Sequence, residues 1–294
     1  MDQFACVSRT AMLYGSTQSS DSFNKENKET FVNIGVCVKL VPPSDVRVTI
    51  SGEGEGSSVE DGVYSKLGLN PYDDYALEEA VRLKEAGHAD KVIVFSVDSR
   101  PKIDSELRMA LAKGGDEVVL INDDALADAD AFSVAQVLVA AAKNEDVGLI
   151  MCGKESIDTQ SAQIPPMVAE LMEWSLATSI TKLEISDDGF KAWKDIGGGS
   201  QGVVQGSLPV VLSCDKGLNE PRFVKLQARM KSKKKPFRKI TLSDLDLDLD
   251  EAKGVRSTNW TLPPQRSECA FLEGSTEELV AQLITRLKEE AKVL

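Results

Sequence analysis

Short apolar runs alternate with segments of helical periodicity through the first half of the chain. The runs at 32–40, 91–97, 117–121 and 147–152 are mostly apolar, and the run at 46–50 alternates between apolar and polar residues; both patterns are typical of strands in a sheet. Between them, apolar residues recur at helical spacing over 72–86, 103–113 and 131–143, with charged residues on the other positions. Strands alternating with helices predict βαβ units, a parallel sheet and right-handed crossovers.

The pattern changes after a predicted helix at 166–174. Short runs at 179–185, 190–195, 202–205 and 210–214 follow, separated by Asp-Asp-Gly and Gly-Gly-Gly-Ser turns, and they predict an antiparallel addition to the sheet. An extended, proline-containing arm over 259–273 leads to an amphipathic helix at 275–292, with Ser275 or Thr276 as N-cap. That helix either returns to its own sheet or docks on a second subunit.

These patterns predict an α/β protein: a three-layer α/β/α fold around a mostly parallel sheet, with an antiparallel addition and an extended C-terminal arm ending in a helix. We expect three parts, namely a flexible extension over 1–31, an α/β domain over 32–250, and an arm and helix over 251–294. The extension is polar, carries Asp2, Asp21, Glu26 and Glu29, and has Arg9 as its only basic residue before Lys25, which does not fit a mitochondrial presequence. A weak targeting role stays open as an alternative.

The loop after the strand at 147–152 is the best candidate site. Gly153 ends the strand, a polar loop follows, and Pro165-Pro166 begins a helix, an arrangement that makes an anion site at the carboxyl edge of a parallel sheet. Hydroxyls and amides of the loop can donate to a phosphate, and its carboxylates suit ribose hydroxyls better. An ordinary surface loop explains the spacing equally well. The stretch 147–166 contains neither GxGxxG nor a P-loop motif.

Composition limits the function classes. The chain has 294 residues, 42% of them apolar, and no apolar run near the ~20 residues that a membrane span needs. Its net charge of −13 argues against a general nucleic-acid or anionic-membrane binder. The five scattered cysteines and the single histidine, His88, lack the spacing of zinc or iron–sulfur ligands. The cysteines are therefore predicted to be buried and reduced. A Ser-His-Asp hydrolase mechanism is disfavoured because nothing in the sequence places a serine beside His88.

One basic segment stands out against this acidic background. Residues 231–239 carry six cations in nine positions, directly after the exposed-looking segment 218–230. Such a run is usually a solvated surface. The alternative is a contact surface for an acidic partner, with the upstream apolar residues as anchors and the acidic residues 244–251 partly neutralising the patch.

From about residue 33 onwards the chain resembles the β subunits of electron transfer flavoproteins. The resemblance rests on Val36-Cys-Val-Lys39, Asn70-Pro71 before the helix at 77–84, and Gly153-Lys154 with Ile157-Asp158. Its most specific part is Leu218-Asn-Glu-Pro-Arg222 followed by Met230-Lys-Ser-Lys-Lys-Lys235, and Pro263-Pro-Gln-Arg266 also fits.

The resemblance implies an electron carrier subunit and not an enzyme. It implies a heterodimer with an α subunit that supplies most of the FAD site, in the mitochondrial matrix and in fatty acid β-oxidation. The partners would be acyl-CoA and other flavoprotein dehydrogenases as donors and the membrane electron transfer flavoprotein–ubiquinone oxidoreductase as acceptor. The family often places an aromatic residue near the flavin where this chain has Pro42-Pro43-Ser44-Asp45, so we expect no direct flavin contact from this loop.

The resemblance also implies a nucleotide-hydrolase-like fold with AMP as a buried structural ligand. Members that bifurcate electrons hold a second FAD there, but the stretch 230–235 resembles the AMP-binding branch. The residues implied to surround AMP are Cys37, Asn70, Pro71, Tyr72, Asp73, Val97, Gly153, Lys154, Glu155, Ser156, Ile157, Asp158, Thr159, Gln160, Ser161, Ala162, Gln163 and Ile164.

The residues implied to recognise dehydrogenases are Pro221, Arg222, Leu226, Met230, Lys231 and Lys234, of which Leu226 would fill a partner pocket and the two lysines can be methylated in some members.

Two other classes of function remain open. One is an adenine-nucleotide-dependent ligase or hydrolase, although the Ser-Gly-Gly-x-Asp-Ser and HxGH motifs of such enzymes are absent. The other is a nucleotide-sensing or scaffold protein without an electron-transfer role.

Overall fold

The computed structural model describes residues 33–101, 103–186, 189–249, 254–255, 257–266 and 268–294. The extension predicted over residues 1–31 lies outside the described residues. The strands are β1 (Asn33–Cys37), β2 (Leu40–Val41), β3 (Ile50–Ser51), β4 (Ser58–Val59), β5 (Gly68–Leu69), β6 (Val92–Val97), β7 (Glu117–Ile121), β8 (Val147–Gly153), β9 (Ser175–Ser186), β10 (Gly189–Asp195), β11 (Gln201–Gly206), β12 (Val210–Cys214) and β13 (Phe237–Ile240). The helices are α1 (Pro71–Glu85), α2 (Asp104–Lys113), α3 (Ala131–Lys143), α4 (Ile164–Met172), α5 (Leu226–Ser232) and α6 (Thr276–Glu289).

A nine-stranded sheet in the order β11-β10-β9-β12-β8-β1-β6-β7-β13 forms the centre of the fold. Strand β10 is antiparallel to both of its neighbours, and the other neighbouring strands run parallel. The prediction that 210–214 belongs to the antiparallel addition is therefore wrong, because β12 lies between β8 and β9 and is parallel to both. All five residues of β12 are buried, as in a central parallel strand covered on both faces.

Helices cover both faces of this sheet, which confirms the three-layer α/β/α prediction. On one face, Leu77 of α1 and Leu107 of α2 belong to the same buried cluster as Val36 of β1. On the other, Leu138 of α3 and Val168 of α4 belong to the cluster around β8. The chain runs outward from β1 through β6 to β7 and then returns to place β8 on the other side of β1. The two directions of winding meet between β1 and β8, which makes this the topological switch point of the sheet.

Several local predictions need correction. The predicted strand at 46–50 is mostly irregular, and only Ile50–Ser51 pairs, with β4. The basic segment contains an edge strand, β13, beside β7, because Phe237 and Ile240 are apolar positions within a charged run. Residues 226–232 form α5, which the sequence did not predict.

The C-terminal part follows the prediction more closely. Ser275 is the N-cap of α6, and Glu278 completes a capping box with it. None of the α6 residues is buried, so its apolar positions Val280, Leu283 and Ile284 face solvent in this chain. Within the described part of the chain, no helix has the length and apolar character that crossing a membrane requires.

Candidate functional site

A cavity of about 840 Å³ lies at the switch point, where β1 and β8 end. Cys37 and Cys152 are register partners on these two strands, and both thiols belong to the cavity wall. The loop after β8, the beginning of α4 and the beginning of α3 complete most of the wall. The cavity therefore occupies the position where open α/β sheets bind ligands.

The structure brings most of the predicted nucleotide residues to this cavity. The residues that line it are Cys37, Asp73, Val97, Gly153, Lys154, Glu155, Ser156, Thr159, Ser161, Ala162, Gln163 and Ile164. The predicted residues outside the lining are Asn70, Pro71, Tyr72, Ile157, Asp158 and Gln160. Two of the latter group, Asn70 and Asp158, hold the loop in place.

Asn70, which immediately precedes α1, fixes the loop through its side-chain amide. Its Nδ2 donates to the carbonyl of Glu155 at 2.8 Å, and its Oδ1 accepts from the backbone N–H of Ile157 at 3.1 Å. Asn70 is fully buried, so these backbone groups have an internal partner in place of water. The amide thus sets the path of the loop where it passes the cavity.

Asp73, one turn into α1, joins the ends of both central strands. Its carboxylate accepts from the backbone N–H of Lys39 at 2.7 Å and of Gly153 at 3.1 Å. Burial raises the pKa of Asp73 to about 7, against the opposing effect of these hydrogen bonds. A Cβ on Gly153 would lie only 2.3 Å from Asp73 Oδ1 and 2.7 Å from the backbone N of Asp73. The strand end therefore needs glycine because α1 begins directly against it.

The positive charges near the cavity are already paired with carboxylates. Lys39 Nζ lies 2.7 Å from Asp158 Oδ2, and Lys154 Nζ lies 3.2 Å from Asp215 Oδ2. The Lys39 pair closes the loop onto the residues after β1. An anion in the cavity would therefore depend mainly on uncharged donors of the loop and of the helix ends.

Helix α4 offers fewer of these donors than its position suggests. Pro165 and Pro166 occupy its second and third positions and have no N–H, which leaves Ile164 as the donor among the first three residues. Side-chain hydroxyls compensate for part of this loss, because Ser156 and Thr159 both line the cavity and lie 2.8 Å apart, oxygen to oxygen. The loop thus holds the hydroxyl donors that the sequence suggested.

The Cys152 thiol is a neutral group of the cavity wall. Hydrogen bonding to Cys37, together with burial, raises the pKa of the Cys152 thiol well above its usual range. In the described part of the chain, Cys37, Cys152, Cys214 and Cys269 are all free, and the first three are buried. No group of three or more His, Cys, Asp or Glu residues in that part is arranged to hold a metal ion.

A second feature is the segment 219–230, which is anchored on the exposed flank of α1. Asn219 donates to the carbonyl of Tyr75 at 3.0 Å and to Glu79 Oε2 at 2.9 Å. Arg222 makes ion pairs with Glu78, 2.8 Å from Nε to Oε2, and with Glu85, 2.7 Å from Nη1 to Oε1. Arg222, predicted to recognise a partner, is therefore used inside the chain to hold this segment.

Beyond this anchor, the segment exposes large apolar side chains. Phe223 is 98% exposed, Leu226 is 77% exposed and Met230 is 60% exposed. We call these three residues the apolar patch. Lys231 and Lys234 are exposed next to it, whereas two other cations of the basic segment are structural. Lys235 donates to the carbonyls of Leu111 and Gly115, and Arg238 pairs with Glu117 and Glu145.

Comparison with known proteins identifies the family. Residues 62–245 match the electron transfer flavoprotein domain. The electron transfer flavoprotein subunit beta of Bacillus subtilis is 36% identical over 265 residues, covering 90% of this chain and 100% of the relative. The chain belongs to the electron transfer flavoprotein β-subunit family.

Other members of the family are similarly close. The subunit beta of Bradyrhizobium diazoefficiens is 37% identical over 259 residues, 88% of this chain and 98% of its own length. The mitochondrial subunit beta of Arabidopsis thaliana is 33% identical over 265 residues, 90% of this chain and 100% of its own length. Members of this family are electron carriers and not enzymes, so the chain is assigned to the electron carriers.

Sequence reasoning missed several parts of the cavity wall, two of them large, and one residue of the apolar patch. Residues 127–132 line the cavity at the beginning of α3, and Gly254, Val255, Ser257 and Trp260 line it from the C-terminal arm. The first part had a detectable signal, since Asp130 precedes a predicted helix that follows a predicted strand and so falls on the same sheet edge. Phe223 lies in a segment that the sequence marked as exposed, but of the three patch residues only Leu226 and Met230 were selected.

Proposed function

We propose that this chain is the β subunit of a heterodimeric electron transfer flavoprotein. In this role it accepts electrons from acyl-CoA and other flavoprotein dehydrogenases and delivers them, with its α subunit, to a membrane quinone oxidoreductase. The observation that carries the proposal is the cavity at the switch point, lined by the loop 153–164, in a chain of this family. We assign it to the mitochondrial matrix, in fatty acid β-oxidation, in line with the mitochondrial designation of its Arabidopsis relative.

The cavity is proposed to hold AMP as a structural ligand. The chemistry of its wall fits an adenine nucleotide, because Val97, Leu138 and Met167 provide apolar surface while the loop provides hydroxyls. Carboxylates such as Glu155 suit ribose hydroxyls, and Ser156 and Thr159 can donate to a phosphate. AMP bound here would tie the ends of β1 and β8 to α3 and α4, and so act on assembly without entering the electron path.

The FAD of the heterodimer would be held mainly by the α subunit and would supply the redox chemistry. The contribution of this chain is to orient the partner. Val280, Leu283 and Ile284 form an exposed apolar stripe on α6, and none of them belongs to either buried cluster of the described residues. An apolar helical stripe in solvent is costly unless a partner covers it. We therefore propose that the arm and α6 dock on the α subunit.

The apolar patch is proposed as the contact for dehydrogenases. Leu226 and Met230 lie one turn apart on α5 and share one face of that helix, and the exposed Phe223 precedes the helix by three residues. The ion pairs from Arg222 to Glu78 and Glu85 hold this surface on α1. A pre-organised apolar anchor beside exposed lysines fits a pocket with acidic residues around it.

Co-expression with the α subunit of the same organism tests the proposed function. We expect a stable heterodimer that is yellow, shows flavin absorbance, and is reduced by an acyl-CoA dehydrogenase with its substrate in a stopped-flow experiment. A matched control uses this chain with Val280, Leu283 and Ile284 replaced by serine, which should fold but fail to co-purify with the α subunit. A colourless complex, or one that the dehydrogenase does not reduce, would reject the electron-carrier role.

A further inference from the structure

Asp130 connects the C-terminal arm to the edge of the cavity. It is the N-cap of α3, where its Oδ1 accepts from the backbone N–H of Ser133 at 2.8 Å. Its other oxygen, Oδ2, accepts from the backbone N–H groups of Gly254 and Val255, each at 3.0 Å. One carboxylate thus caps a helix with one oxygen and holds the arm with the other.

The cap alone does not account for a carboxylate at this position. A helix N-cap needs one acceptor oxygen, which asparagine or serine supplies as well as aspartate. A negative charge in the wall of a cavity suited to a phosphate is unfavourable in itself. The hydrogen bonds from Ser133, Val255 and Gly254 outweigh partial burial and lower the pKa of Asp130, so the carboxylate stays charged. The second oxygen has a function of its own, which is to bind the arm.

The arm bound in this way forms part of the cavity wall. Gly254, Val255, Ser257 and Trp260 line the cavity together with the loop after β8. The same arm continues to α6, the helix with the solvent-facing apolar stripe. A single segment therefore contacts the cavity at one end and carries a docking helix at the other.

We infer that Asp130 is a latch that seats the arm over the cavity, so that nucleotide retention and docking of the arm on the partner subunit strengthen each other. The coupling rests on the proposed function, which supplies the nucleotide and the partner. Asp130 is a positioning residue in this scheme, because it acts through the arm. If docking of α6 favours the seated arm, it raises the affinity for the nucleotide and slows its release, and by linkage a bound nucleotide raises the affinity for the partner by the same factor.

Asp130→Asn separates the latch from the helix cap. Asparagine retains an oxygen for the N–H of Ser133, but its NH₂ group then faces the N–H groups of Gly254 and Val255 and cannot accept from them. Asp123→Asn is the matched control. Asp123 also caps a turn with Oδ1, which accepts from Ala125 N at 3.0 Å, and accepts with Oδ2 from Leu242 N at 3.2 Å, away from the cavity and the arm.

Hydrogen exchange of the two arm amides tests the latch without any nucleotide. In the full-length chain, the amides of Gly254 and Val255 should be protected, and Asp130→Asn should speed their exchange roughly tenfold or more, since each loses a charged acceptor. Asp123→Asn should leave them unchanged. Unprotected amides in the parent chain, or equal exchange in parent and Asp130→Asn, would overturn the latch.

Release of AMP and of adenosine tests the coupling. Both should dissociate roughly tenfold faster from Asp130→Asn than from the parent, in proportion to the opening of the arm, and heterodimer formation should slow release from the parent much more than from the variant. If Asp130 acted only by repelling phosphate, AMP would dissociate more slowly from the variant than from the parent, and adenosine would dissociate at the same rate from both. That result would overturn the coupling. A parent chain that binds neither ligand would reject the proposed nucleotide and the coupling with it, whereas amide exchange would still decide the latch.

Discussion

The two ends of helix α1 support two different functional regions. At its beginning, Asn70 and Asp73 bind backbone groups of the loop and strand ends that form the cavity. Further along, Glu78 and Glu85 bind Arg222 and so hold the segment that carries the apolar patch. One helix therefore positions the wall of the cavity and the exposed apolar patch.

The two regions differ in how much of their structure depends on burial. The cavity end uses buried side chains that satisfy backbone N–H and C=O groups, and such groups are costly when left without a partner. The patch end uses ion pairs that are partly open to water, where each pair contributes less. We therefore expect changes at the cavity end to disturb folding and ligand together, and changes at the patch end to disturb docking with the fold retained.

Gly153→Ala should have the largest effect. The new Cβ would overlap Asp73 Oδ1 and the backbone at the beginning of α1, so the helix must shift away from β8. Overpacking of this kind should reduce the free energy of unfolding by about 3 kcal/mol or more. Urea unfolding measures this loss, and Gly217→Ala, at an open position with positive φ, shows how much a strained exposed glycine costs by comparison. Equal stability of Gly153→Ala and the parent would contradict the proposed contact.

Asn70→Ala and Asn219→Ala compare the two ends with the same substitution. The first leaves the carbonyl of Glu155 and the N–H of Ile157 without their partner, which should cost about 2–3 kcal/mol. It should also shorten AMP retention. The second removes bonds to Tyr75 and Glu79 at a half-exposed site and should lower dehydrogenase docking while AMP content stays unchanged. If both variants changed AMP retention and dehydrogenase docking in the same way, the distinction between the cavity end and the patch end of α1 would be wrong.

Arg222→Ala should cost about 2 kcal/mol of stability because it leaves the buried carboxylate of Glu78 with Arg82 alone. Burial favours the neutral form of Glu78, but the bonds from Arg222 and Arg82 outweigh it and lower the pKa. The parent therefore gains stability from this group above the ordinary glutamate pKa of about 4.3 and loses it as the pH falls through the lowered value. Urea unfolding at pH 7 and at pH 3 should show a smaller acid-induced loss in Arg222→Ala than in the parent.

Leu226→Ala should have the smallest effect on the fold, which should keep its stability and its AMP content. Docking of a dehydrogenase should weaken by about 1.5 kcal/mol, the scale for burying a leucine side chain, and this loss should persist at high salt.

Replacing Lys231 and Lys234 with glutamine should instead slow association, and that effect should shrink as the screening length falls below ~10 Å. Stopped-flow reduction at low and high salt measures both, and a Leu226→Ala heterodimer reduced as fast as the parent would reject the patch.

The regular elements were predictable wherever periodicity and burial agreed. Strand β7 and helix α3 have the predicted bounds, because their apolar residues follow the period of the element and their ends carry clear signals, such as Asp130. Helix α5 was missed since it has seven residues and mostly exposed positions, so it shows no apolar stripe. Strand β13 was hidden by the charges of the basic segment.

The site was predictable only as far as its loop. Residues 153–164 can be recognised in the sequence because an apolar strand changes there to polar residues that are followed by prolines. The latch joins Asp130 to Gly254, 124 residues away, through a backbone N–H that every residue except proline possesses, and no local pattern can indicate such a contact. The contacts of Arg222 within the chain were unpredictable for a related reason, because its partners lie on α1, far away in sequence.

The central claim is that the cavity at the switch point holds AMP. Heat denaturation of the purified full-length protein, followed by chromatography of the supernatant, tests it directly. On a one-site basis we predict about one equivalent of AMP per chain, and markedly less from Asn70→Ala than from Asn219→Ala. Release of FAD from this chain purified alone, or of no nucleotide from the chain or its heterodimer, would contradict the account.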